Sequence, residues 1–130
     1  MVSDRVGDFI TRLTNAGAIG KETVLVPYSA LLEAVAKKLQ QLGYVAGTEV
    51  VSRPHKMLSV TLAFDAGGHS RIHGVKRVSK PGRRLYVSAR DAHGVKNGVG
   101  ARIISTPKGV LSDAEARKQR AGGENLFEIW

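Results

Sequence analysis

The chain has 130 residues, 42% of them apolar, and its 20 Lys and Arg outnumber 11 Asp and Glu, giving a net charge of +9 and a pI near 10.3. That length holds one medium domain or two small ones and excludes a large enzyme with separate cofactor and substrate domains, while the apolar share excludes charge-driven disorder. The absence of cysteine excludes disulfides, thiol nucleophiles and Cys-ligated zinc or iron–sulfur centres, and fits a reducing compartment.

In chain order, Val6, Phe9, Ile10 and Leu13 recur at helical spacing. Ser3 as cap, Asp4 as first-turn acid, and Gly17 and Gly20 as stops complete a first amphipathic helix. Thr23–Pro27 is short, β-branched and ended by proline, so it reads as a strand. Ser29 then opens a second helix whose stripe carries Leu31, Leu32, Val35, Leu39 and Leu42, and Gly43 closes it. Two strands follow, Tyr44–Ser52 and Met57–Phe64, the latter alternating with Leu58, Val60, Leu62 and Phe64 on one face. Residues 1–66 therefore form an α-β-α-β-β domain with both helices on one side of a small sheet.

After Ala66-Gly67-Gly68 helical periodicity disappears, and short strands are expected at Ser70–Val78, Arg84–Ala89, Ala101–Thr106 and Leu126–Trp130. Lys80-Pro81-Gly82-Arg83 has proline and glycine at the central positions of a type II turn, which predicts a hairpin tip. Ser112-Asp113-Ala114-Glu115 is a capping box launching one short helix that ends at Gly122-Gly123. Residues 67–130 are thus a mainly β domain with one short helix, and the fold class is α+β with two small domains.

The excess charge is confined to the second part: residues 1–50 hold 5 basic and 5 acidic side chains, residues 51–130 hold 15 and 6. Lys76, Arg77, Lys80, Arg83 and Arg84 fall within nine residues. A like-charged cluster of that density favours a polyanionic partner, and nucleic acid is the commonest. The plainer reading of the same residues is a solvated basic face.

No catalytic or metal-binding motif accompanies that charge. His69 and His73 have i, i+4 spacing but fall on an expected strand, where such residues lie about 13 Å apart, and no carboxylate completes a ligand set. Gly98-Val-Gly100 lacks the third glycine of a dinucleotide loop, and Gly20-Lys21 lacks the rest of a P-loop. No cofactor is expected. The longest apolar runs are four or five residues and the N-terminus has no signal-peptide pattern, so the expected location is the cytoplasm, with no membrane partner.

Three separated blocks carry a resemblance. Ser105-Thr-Pro-Lys-Gly-Val-Leu-Ser-Asp113, followed by Ala116-Arg117 and Gly122-Gly-Glu124, resembles the Ser-Thr-Ser-Lys-Gly-Val-Met-Thr-Asp, Ala-Arg and Gly-Gly-Glu signature of bacterial small-subunit ribosomal protein number eight. Asp8-Phe-Ile-Thr-Arg-Leu-Thr-Asn-Ala16 and Arg77-Val-Ser-Lys-Pro-Gly-Arg-Arg-Leu-Tyr86 are similar to two further blocks of that family, in the same order. The resemblance implies a non-catalytic protein of an N-terminal α/β and a C-terminal mainly β domain. It would bind the central domain of small-subunit ribosomal RNA and help its assembly beside neighbouring small-subunit ribosomal proteins; some members also repress their own mRNA.

The resemblance further implies that RNA meets Ser105, Thr106, Lys108 and Gly109, with Tyr86 and Glu124 in support. The residue types suit this: hydroxyls address base edges or 2′-OH groups, Lys108 neutralises phosphate, Gly109 admits close backbone approach and Tyr86 offers a stacking face. Glu124 repels phosphate, so it either accepts from a base amino group, organises the loop, or pairs with Arg117 or Arg120. Ordinary turn composition would also account for Ser105–Gly109. Two departures stand out. Pro107 replaces a serine of the signature and removes a hydroxyl and an N–H; Thr14 replaces an arginine, leaving Arg12 as the N-terminal phosphate candidate. The competing classes are a freestanding nucleic-acid-binding module, which would bind without preference for ribosomal RNA, and a small enzyme, which would need a pocket of convergent acid–base groups.

Overall fold

The computed structural model describes residues 4–52, 54–95 and 98–130, so the expected cap Ser3 lies outside the described residues. The described residues form two compact units: those of Asp8–His73, and those of Gly74–Trp130 grouped with 4–7. Mixed helices and antiparallel sheets make the fold α+β. Among the described residues, no helix is long and apolar enough to cross a membrane.

The first helix, α1 (Arg5–Ala18), starts one residue after Asp4, whose carboxylate accepts from Gly7 N–H at 3.1 Å. Asp4 is therefore the N-cap rather than a first-turn acid. The helix runs through Gly17 and buries Phe9, Ile10, Leu13 and Ala16. β1 (Thr23–Pro27), α2 (Ala30–Gln41), β2 (Val45–Val51) and β3 (Met57–Leu62) follow, and the antiparallel sheet has the order β1-β3-β2. Val24 and Val26 face Val60 and Leu58 across β1 and β3, and these four side chains are buried. The opposite face carries Thr23, Leu25 and Thr61, all exposed, so only one face of the sheet is apolar enough to receive the helices.

Ser29 caps α2 by accepting from Leu32 N–H, and Leu32, Val35, Ala36 and Leu39 form its buried stripe. Leu31 and Leu42, expected on that stripe, are each 38% exposed. Leu31 stands at the edge of the stripe in the first turn and Leu42 is the C-cap beyond the last, so both are only partly covered.

The remaining strands are β4 (Val75–Arg77), β5 (Tyr86–Val87), β6 (Ala101–Thr106), β7 (Gly109–Ser112) and β8 (Gly123–Ile129), with α3 (Asp113–Gln119) between β7 and β8. β8 is the centre of the sheet: β4 and β5 pair with it at different points along one side, β6 runs along the other, and β7 pairs with β6. Ile103, Phe127, Ile129 and Ala101 are buried, and Ile104 packs with Ala92, Ala116 and Val87 beneath α3.

Several expectations change here. The strand expected over Ser70–Val78 is reduced to β4, because Ser70 bridges back to Phe64 and ladder partners on β8 begin only at Val75. The Arg84–Ala89 strand contracts to Tyr86–Val87, while the C-terminal strand extends back to Gly123, and β7 is an addition. Lys80 and Arg83 exchange two 3.0 Å backbone hydrogen bonds around Pro81-Gly82, but Gly82 lacks the positive φ of a type II turn.

The capping box at Ser112 and Glu115 is present, yet α3 stops at Arg120, which adopts left-handed φ 55 and ψ 43, and not at Gly122-Gly123. Those glycines serve the strands. A Cβ on Gly123 would stand 2.0 Å from the Ser105 carbonyl oxygen, and one on Gly122 2.7 Å from that of Val87. The pair lets β8 lie close between β5 and β6.

Candidate nucleic-acid interface

Residues 86, 105 and 124 are far apart in sequence but adjacent in the sheet. Tyr86 on β5 and Ser105 on β6 are each the direct cross-strand partner of Glu124 on β8. Directly opposed residues of antiparallel strands project to the same face. The three side chains thus form a row three strands wide, about 10 Å across. Their neighbours Val87 and Ile104 point the other way, into the core beneath α3. Tyr86 is 71% exposed, which leaves its ring face available for stacking.

Glu124 is fixed from two sides. Its Oε2 accepts from the Ser79 hydroxyl and from Arg84 at 3.0 Å, and the same hydroxyl accepts from Leu85 N–H at 3.3 Å. The carboxylate pairs with Arg84, not with Arg117 or Arg120; Arg117 is held by Asp113 and the Ala92 carbonyl. Ser79, which has no role in the sequence reading, positions Glu124 together with Arg84. Its sequence signal is slight, a serine inside the Arg-Val-Ser-Lys block, but it is buried to 2% exposure and hydrogen-bonded to Glu124.

Next to this row, Thr106 and Gly109 face each other across the turn that joins β6 and β7. The Thr106 hydroxyl donates to the Gly109 carbonyl at 2.7 Å and accepts from Lys108 N–H at 3.1 Å, so it closes the turn internally. Pro107 and Lys108 form the exposed tip. The Lys108 ammonium reaches the Gln119 carbonyl at the end of α3, 2.9 Å away. Ser105, by contrast, has no side-chain hydrogen bond to a described residue, so its hydroxyl keeps its bonding capacity.

The cationic run divides by what each side chain touches. Arg77, 17% exposed, turns inward, forms two hydrogen bonds with the Asp4 carboxylate and donates from Nε to the Ser79 carbonyl at 2.8 Å. That guanidinium holds the Asp4 carboxyl below the usual carboxylate range against the opposing effect of burial. Arg84 is committed to Glu124, whereas Lys76, Lys80 and Arg83 are exposed and make no side-chain hydrogen bond or ion pair with a described residue.

Arg12 belongs to the other unit. It pairs with Asp8 at 3.1 Å and donates to the Leu25 carbonyl at 3.1 Å, beside a cleft of about 280 Å³ bordered also by Asn15, Ile19 and Lys21. Thr14, at the position of the missing arginine, hydrogen-bonds back to the Ile10 carbonyl of its own helix.

The arrangement offers a stacking ring, a free hydroxyl, an oriented carboxylate and peripheral cations. Comparison with known proteins agrees with the resemblance. The family described as ribosomal protein S8 matches residues 4–130. The small ribosomal subunit protein uS8 of Dehalococcoides mccartyi is 39% identical, over all of both chains. Those of Nautilia profundicola and Zymomonas mobilis are 43% and 45% identical, covering all of both chains in the first case and 99% and 98% in the second.

Proposed function

The chain belongs to the ribosomal protein S8 family, a family of structural and non-enzymatic proteins of the cytoplasmic ribosome, and from that premise we propose how it holds ribosomal RNA. Its partner is the central domain of small-subunit ribosomal RNA, whose assembly it assists, and the contact surface is the C-terminal part, residues 67–130. The observation that carries this reading is the row of Tyr86, Glu124 and Ser105 across three strands. Such a row suits RNA because each member addresses a different feature of an unstacked nucleotide. The Tyr86 ring stacks, the Ser105 hydroxyl meets a base edge or 2′-OH, and the Glu124 carboxylate accepts from a base amino group.

Glu124 also organises the site, since Ser79 and Arg84 hold it and Arg84 offsets its repulsion of phosphate. Lys108, Lys76, Lys80 and Arg83 supply phosphate contacts at the periphery. Arg77 supports the interface indirectly through Asp4 and Ser79. Thr106 and Gly109 shape the turn, and Arg12 is the contact from the N-terminal unit.

The test is binding of a central-domain ribosomal RNA transcript to the parent protein and to Tyr86→Ala, Ser105→Ala and Glu124→Gln. Each variant is expected to lose about tenfold or more, the equivalent of one good stacking or bidentate contact. Parent-like binding by all three would refute the site.

A further inference from the structure

Among the described residues, α1, α2 and α3 all end by the same pair of backbone hydrogen bonds. At the end of α1, Lys21 N–H donates to the Ala16 carbonyl at 2.9 Å and Gly20 N–H to that of Gly17 at 3.3 Å, with Gly20 at φ 73. At the end of α2, Tyr44 donates to Leu39 at 2.9 Å and Gly43 to Gln40 at 3.1 Å, with Gly43 at φ 89. At the end of α3, Ala121 donates to Ala116 at 2.9 Å and Arg120 to Arg117 at 3.3 Å, with Arg120 at φ 55. This six-to-one and five-to-two closure places one residue in the left-handed region, where a Cβ crowds the backbone and glycine is preferred. The chain uses glycine twice and arginine once, and Arg120 is the one non-glycine residue with positive φ among the described residues.

Local structure gives no reason for an arginine there. Cations near a helix C-terminus complement its dipole, but Lys108 already binds the Gln119 carbonyl and Arg117 occupies the last turn. The Arg120 side chain is exposed and makes no hydrogen bond or ion pair with a described residue. It follows directly on Gln119, to which the Lys108 ammonium is bound, and precedes Glu124 by four residues.

We propose that Arg120 and Lys108 together bracket a phosphate of the bound RNA strand, extending the interface from the Tyr86–Glu124–Ser105 row to the C-terminal end of α3. The two groups are complementary: a guanidinium fork grips two phosphate oxygens and an ammonium adds a point charge. The inference rests on the RNA-binding reading above.

Arg120→Gly separates fold from function, because it relieves the left-handed strain while removing the cation. With a central-domain ribosomal RNA transcript, Arg120→Gly is expected to lower the slope of log affinity against log salt by about one. It is also expected to raise the thermal midpoint, followed by the fluorescence of the single tryptophan, Trp130. Arg120→Lys should keep the parent's slope. If Arg120→Gly binds with the parent's affinity and slope while Lys108→Ala is weakened, this proposal is overturned and the interface stands. A lowered midpoint for Arg120→Gly would also overturn it, by making the arginine structural. A parent protein that does not distinguish the transcript from transfer RNA would overturn both readings.

Discussion

Ser105 and Lys108 lie three residues apart but should respond differently to substitution. The Ser105 hydroxyl is uncharged and unengaged within the protein, so Ser105→Ala should reduce discrimination between ribosomal and unrelated RNA while leaving the salt slope almost unchanged. Lys108→Ala should lower the slope by about one and weaken binding to all RNA alike. It should also lower stability by about 0.3–1 kcal/mol, since the ammonium complements the end of α3 at Gln119. Salt titrations of both variants against two RNAs distinguish these outcomes. Asp4 provides a test by pH. Its pKa is lowered from 3.8 chiefly by the hydrogen bonds from Arg77, so its stabilisation is fully present at neutral pH, declines below about 3.8 and is lost as pH falls through the lowered pKa. Asp4→Asn should therefore lower the thermal midpoint at pH 7, and its difference from the parent should narrow as pH falls through the lowered pKa of Asp4. The side chain is 39% exposed and screened by water, so the difference should not exceed about 1 kcal/mol.

At the scale of elements, the site depends on how closely three strands approach. Gly123→Ala would drive a Cβ into the Ser105 carbonyl, so β6 must move and carry Ser105 away from Glu124. Overpacking of this kind costs about 1–3 kcal/mol, and RNA affinity should fall with the thermal midpoint; a loss of stability with unchanged affinity would mean that the register of Ser105 and Glu124 is irrelevant. These glycines also show where sequence reading stops. Periodicity identified α1, β1, α2 and β3, because each buries one face and alternates accordingly. The glycines after α3 read locally as a helix stop, whereas their constraint comes from residues 87 and 105, which local pattern does not contain. For the same reason the expected Arg84–Ala89 strand exceeds β5 and no expected strand covers β7: two- and four-residue strands have too little alternation to read, and their limits are set by partners on β8 and β6. At the site, the signature blocks pointed to Tyr86, Ser105, Lys108 and Glu124. The Ser79–Glu124 and Arg84–Glu124 contacts join residues 40 or more positions apart, a separation that no local sequence pattern carries.

For the whole molecule, the net charge of +9 is concentrated in residues 51–130, the part that also carries the row of Tyr86, Glu124 and Ser105. Charge alone attracts any polyanion and supplies most of non-specific affinity. Specific recognition must come from uncharged contacts, stacking and RNA shape, which survive at salt concentrations that screen the cations. The most direct measurement is therefore competition at about 150 mM salt, where the Debye length is about 8 Å, with a labelled central-domain ribosomal RNA transcript challenged by excess transfer RNA and double-stranded DNA. Retention of the ribosomal transcript is the predicted result, and equal displacement by either competitor would contradict it, reducing the basic half to an unselective electrostatic surface.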